Sequence, residues 1–211
     1  PTYSPSERWD FFTDFNLYSE RGILLGPGFD LKLAPTENQS IHTHLESGWI
    51  EDSGNLGVDI LGEPIDSDRY YLDFEYVHQL PESAQLIGKV QNWSDSEILR
   101  DFDTAEFRRI QQPENFFEAS MVTGSWALGV QAHFRHEEFE YATERLPEVA
   151  LRLLPSPVWG SGGFYHSAKL AGAKLRNEDP DQPVALDYTR FRGFYELFYP
   201  VAVNRWLDFV P

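Results

Sequence analysis

A mainly β, α+β single domain over residues 1–211 is the fold this sequence predicts, with a curved antiparallel sheet closing into a barrel or half-barrel. Three observations predict it. From Trp126 to Phe134, apolar Trp126, Leu128, Val130 and Phe134 alternate with Ala127, Gly129, Gln131 and His133, the period of a strand with one apolar face. Over 69–80, Tyr70, Leu72, Phe74 and Tyr76 share a face, and Pro81-Glu82-Ser83 turns the chain into a hairpin partner over 84–93. Strand patterns also follow one another without the intervening helices that a parallel nucleotide-binding sheet requires. A two-sheet sandwich is the rival architecture, since periodicity is shared by both.

The elements follow in chain order. Ser4-Pro5-Ser6-Glu7 has the residues of a helix start, and Trp9, Phe12 and Phe15 recur at near-helical spacing, so a helix is expected over 5–16. Phe29, Leu31 and Leu33 alternate with Asp30 and Lys32 as a first strand, and 41–51 reads as the next. Residues 52–68 are acidic and turn-rich. After the 69–93 hairpin, Ser94 with Glu97 and Asp103 with Glu106 form capping-box pairs, which places one broken or two short helices over 95–112, before Pro113. The strand at 126–134 follows, expected to bury Trp126, Leu128, Val130 and Phe134. Further strands are expected over 145–154, 164–171, 188–199 and 201–210.

Composition narrows the function. The chain has 211 residues, 15% of them aromatic, which is more ring surface than a disordered chain carries. Its 34 acidic and 17 basic residues give a net charge of −17, a field that repels nucleic acid and anionic lipid. No apolar run reaches the roughly 18 residues of a spanning helix, so membrane insertion is not expected. With no cysteine there is no disulfide framework, thiolate nucleophile or thiolate-held metal, in keeping with a soluble, cytoplasmic protein. No motif calls for a cofactor.

Four groups of residues have chemistry to offer. His42, His44 and Glu46 share a strand face, an arrangement suited to a metal held by two imidazoles and a carboxylate; without a third ligand at a readable spacing, the expectation is no metal site. His133 beside Arg135 is the candidate catalytic pair, because a neighbouring cation disfavours protonated imidazole and suits a general base. His136 and Glu137 extend that cluster. Arg190 and Arg192 share a face with Tyr188 and could fork onto a ligand's carboxylate or phosphate, with Trp159 and Trp126 as further ligand-binding walls. The run 160–163 and the acidic groups at 66–68 and 178–181 match no phosphate or calcium loop.

The function expected on these grounds is a soluble β-barrel that binds a small hydrophobic or amphipathic molecule and catalyses a proton transfer, isomerisation or cyclisation on it. A noncatalytic structural subunit of a larger assembly, including a homo-oligomer, and a carbohydrate-binding sandwich are the alternatives.

Overall fold

The computed structural model describes residues 6–137, 139, 143–158, 163–177, 185–204 and 207–209. Ten strands make one antiparallel sheet: β1 (Ser6–Tyr18), β2 (Gly22–Thr36), β3 (Gln39–Glu51), β4 (Asp68–Leu80), β5 (Ala84–Trp93), β6 (Phe116–Thr123), β7 (Trp126–His133), β8 (Glu144–Pro157), β9 (Tyr165–Asn177) and β10 (Leu186–Phe198). Each pairs only with its neighbours in sequence, so the sheet is a plain meander in the order β1 to β10. It does not close into a barrel: among the described residues, β1 and β10 each pair on one side only. A separate hairpin joins β11 (Val201–Asn204) and β12 (Leu207–Phe209).

The expected strands at 41–51, 69–80 and 84–93 are present as β3, β4 and β5, and the last two pair as the predicted hairpin. The N-terminal helix is not formed. Residues 6–18 are a strand, because Trp9, Phe11, Phe15 and Leu17 lie at period 2 and pair without interruption against β2. The helical region holds two short helices, α1 (Ile98–Phe102) and α2 (Thr104–Phe107). Asp103 caps α2 by accepting from the Glu106 backbone N–H at 2.9 Å. Glu97, rather than Ser94, stands at the N-cap of α1, and no side chain caps it.

Connections at the two ends of the sheet differ in length. One end carries 37–38, 81–83, 124–125 and 158–164, and the other 19–21, 52–67, 94–115, 134–143 and 178–185. At the long-connection end, Leu24, Ile50, Tyr71 and Trp93 from β2 to β5 are buried beneath Ile98, Leu99 and Phe139, with Phe102, Phe107 and Ile110 packed alongside. Gly48 lies directly opposite Tyr71, and a Cβ there would collide with the tyrosine ring. The missing side chain lets the ring lie down over β3.

Within this core sits an ionic cluster. The Arg69 side chain is fully buried and forks onto Asp95, with Nε at 2.9 Å from Oδ2 and Nη2 at 2.7 Å from Oδ1. Its Nη1 reaches Asp52 at 3.0 Å and Asp101 at 2.8 Å. Arg21 binds the same two carboxylates, through Nε and Nη2 to Asp52 and through Nη2 to Asp101 at 2.9 Å. The Phe102 ring lies 4.5 Å from the Arg21 guanidinium carbon and 5.2 Å from that of Arg69. The cluster thus ties β4 and the 19–21, 52–67 and 94–115 connections, α1 within the last, together. Burial by itself raises the Asp52 and Asp101 carboxyls, but hydrogen bonds from the arginines outweigh it and hold both below the usual carboxylate range.

The predicted burial of Trp126, Leu128, Val130 and Phe134 is not realised. Trp126, Leu128 and Phe134 are exposed, Trp126 at 48%, and Val130 is only partly covered. The alternation is correct, but among the described residues no second layer packs on the apolar face it defines. The same holds across the sheet, and the chain exposes 14030 Å² where a compact 24.4 kDa monomer exposes about 10,000 Å². A Trp126→Ala loss of several kcal/mol, expected for a buried ring, is therefore not supported.

Arg69→Ala should unfold the cap over this end of the sheet, costing about 3–5 kcal/mol because three carboxylates lose a buried partner. Chemical denaturation followed by tryptophan emission measures it, and a cost under about 1 kcal/mol would show that the cluster does not anchor the fold. The depressed Asp52 and Asp101 contribute stability that is present above the ordinary carboxylate range and is lost as the pH falls from it through their lower folded values.

Candidate functional site

Register decides which side chains share a face, because directly opposed residues point the same way. Following the pairs from strand to strand puts Trp9, Leu31, Thr43, Tyr76, Gly88, Phe117 and Ala132 in one row. That face is largely apolar. Phe11, Phe15, Leu25, Trp49, Val90, Met121, Leu128, Leu151, Leu170, Phe191 and Tyr195 lie on it, all exposed. Its charged residues, Glu7, Glu51, Asp68, Lys174 and Arg176 among them, sit towards the strand ends.

The opposite face is polar and is the candidate functional surface. On β2 to β5 it holds a carboxylate–imidazole patch. Asp30 Oδ1 lies 3.0 Å from His44 Nδ1 and 3.4 Å from His42 Nε2, and His44 Nε2 lies 3.8 Å from Glu46. Glu46 stands directly opposite Asp73, and His44 opposite Glu75. Burial raises the Glu46 carboxyl, and it raises Asp73 against the hydrogen bond from Gln91. For His44, burial acts downward, but Asp30, Glu46 and Glu75 prevail and raise it. The two predicted histidines are thus brought together, with Asp30 and Asp73 added by cross-strand register that local spacing does not reveal. Among the described residues no group of three or more such side chains is set to hold a metal ion.

On β7 to β10 the same face carries the other predicted residues. His133 stacks on Phe116 with ring centres 5.2 Å apart, and burial followed by the charge of Arg145 lowers its pKa. That cation is Arg145, its cross-strand partner; Arg135 lies beyond the end of β7, its backbone N–H donating to Glu144 at 3.0 Å. His133 lines a recess with Pro113, Glu114, Asn115, Phe134 and Arg145. Arg190 lies 3.6 Å from Glu148, and Arg192 lines a second recess with it. The register row of His133 continues through Arg145 and Leu175 to Tyr188, so three strand spacings separate His133 from Tyr188.

The predicted site residues therefore divide. His133, Tyr188, Arg190 and Arg192 share the polar face without converging, and Trp126 projects from the apolar face. Trp159, 160–162 and the acidic group at 178–181 lie outside the described residues. Comparison with protein-family models and with curated proteins gives no match to this chain.

The raised His44 contributes stability that is fully present below the ordinary imidazole value of about 6.5 and is lost as the pH rises through its folded value. His44→Gln should therefore flatten the fall in melting temperature above that pH. An unchanged slope between wild type and variant would show that His44 is not held by its carboxylates.

Proposed function

We propose that the ten-stranded sheet is a stretch of transmembrane β-barrel wall, its apolar face turned to lipid and its polar face to the barrel interior. The observation that carries this reading is the segregation of the two faces. Ten consecutive strands keep carboxylates and basic groups off the middle of one face, which is nevertheless exposed, while the other face carries the mid-strand carboxylates and guanidinium groups together with His42, His44 and His133.

Other features support it. The strands run from eight to fifteen residues, against the roughly 9–11 that a tilted transmembrane strand needs. Three of the four connections at one end span two or three residues, while 52–67, 94–115 and 134–143 gather at the other, the asymmetry of such walls. Tryptophans of the apolar face stand near both rims: Trp9 and Trp126 towards the short turns, Trp49 towards the long connections. The Trp9 indole N–H donates to Glu7 and that of Trp49 to Asp68, so each ring has an apolar body and a polar tip.

The expectation against membrane insertion came from the lack of a helix-length apolar run, and no described helix is long and apolar enough to cross a membrane. Strands follow a different rule, since alternate residues of a short segment suffice. In lipid, the free edges of β1 and β10 need partners, supplied by pairing with each other or by further strands.

A second reading, the interaction subunit, covers the apolar face with another protein and uses the two free edges for strand addition. The small-molecule reading draws less support: among the described residues the recesses at His133 and Arg192 lie on the polar face.

Folding the chain in the presence of zwitterionic vesicles separates the readings. The wall reading expects strand-rich chain that stays with the vesicles through an alkaline wash. It also expects Phe191→Arg, midway along β10, to cost about 2–4 kcal/mol in the bilayer, and Gln131→Arg on the polar face to cost far less. A chain that remains in the aqueous phase as a defined oligomer would contradict it and favour the interaction subunit.

A further inference from the structure

Beyond Arg145, the polar faces of β8, β9 and β10 gather four cations, Arg152, Lys169, Arg190 and Arg192, in a chain whose net charge is −17. Arg152 stands directly opposite Lys169, a like-charged cross-strand pair that opposes folding unless something neutralises it. Arg192 and Arg190 follow on β10, opposite Ala171 and Ala173. Lys169, Arg190 and Arg192 line one recess with Glu148, and Ala171 and Ala173 present only methyl groups on its floor. Glu148 lies 3.6 Å from Arg190. Among the described residues, no carboxylate lies within ion-pair distance of Arg152, Lys169 or Arg192.

Several basic side chains elsewhere on this face are matched, Arg8 by Asp10, Arg69 by Asp52 and Asp95, and Lys89 by Glu75 at 3.2 Å, whereas Lys32 and Arg145 have no such match among the described residues. Unlike those two single cations, the trio gathers unmatched charge at adjoining positions of three neighbouring strands. We propose that Arg152, Lys169 and Arg192 form a binding site for a phosphate-type oxyanion, seated over the small-residue floor between β8 and β10. Two guanidinium forks and an ammonium suit a doubly charged group with several acceptor oxygens better than a lone carboxylate. The strong negative charge of the rest of the chain weighs against a long polyanion such as nucleic acid. The proposal does not depend on where the apolar face lies, since it uses only the polar one.

Calorimetric titration of the whole chain at low ionic strength, with inorganic pyrophosphate in one arm and detergent micelles doped with phosphatidic acid in the other, tests it. The expected result is saturable binding in at least one arm, weakened at least tenfold in the Lys169→Gln, Arg192→Gln double variant and unchanged in Lys89→Gln. Binding in the micelle arm alone assigns the oxyanion to a lipid headgroup, and binding in both assigns it to phosphate itself. Because the double variant removes like-charge repulsion, its melting temperature without ligand should equal or exceed that of the wild type, and pyrophosphate or the doped micelles should raise only the wild-type value. No saturable binding in either arm, or equal binding by wild type and double variant, would overturn the proposal.

Discussion

Every strand pairing in the sheet joins like face to like face, and the architecture depends on that constraint. A one-residue slip of any strand would carry its charged residues onto the apolar face and its aromatics onto the polar one. On β4, for example, a slip would exchange Leu72, Phe74 and Tyr76 for Asp73, Glu75 and Val77. Register is therefore held by the cost of misplacing about half of each strand. The rows of opposed residues that result are what place Arg152 against Lys169 and Glu46 against Asp73.

The long-connection end solves a different problem. A single layer of sheet offers no interior, so its hydrophobic burial is confined to the place where the connections fold back over the polar face. There the Arg69 guanidinium meets Asp52, Asp95 and Asp101, and the apolar residues of α1 close over Ile50 and Trp93. Buried ions of this kind add little net stability compared with an apolar core, but they demand one geometry, since each unpaired member would be costly. The cluster fixes how the cap sits; the register of the ten strands determines what the cap covers.

Much of the strand pattern was legible in the sequence because alternation is local. Residues 84–93 and 69–80 could be read as a hairpin from their own periodicity and the intervening turn. The helix read at 5–16 arose because Trp9, Phe12 and Phe15 satisfy a spacing of three while Trp9, Phe11, Phe15 and Leu17 satisfy a spacing of two, and only pairing with β2 decides between them. β6 went unread because Phe116 and Phe117 put an aromatic ring on each face. The greater gap concerns direction. Alternation shows that two faces differ but not which one is covered, so Trp126 and Leu128 were assigned to a core that the sheet does not have on that side. The candidate residues were legible only as types: His42 and His44 were visible two positions apart, whereas Asp30, Asp73 and the Arg69 cluster are assembled across the sheet and leave no local mark.

The most direct test of the central claim is the environment of single tryptophans on opposite sides of the sheet. Variants retaining only Trp126, on the exposed apolar face, or only Trp93, 1% exposed beneath the cap, would be folded with vesicles containing brominated acyl chains. The wall reading predicts strong quenching of Trp126 and little of Trp93. Equal, weak quenching of both would contradict it, and would mean that lipid never meets the apolar face.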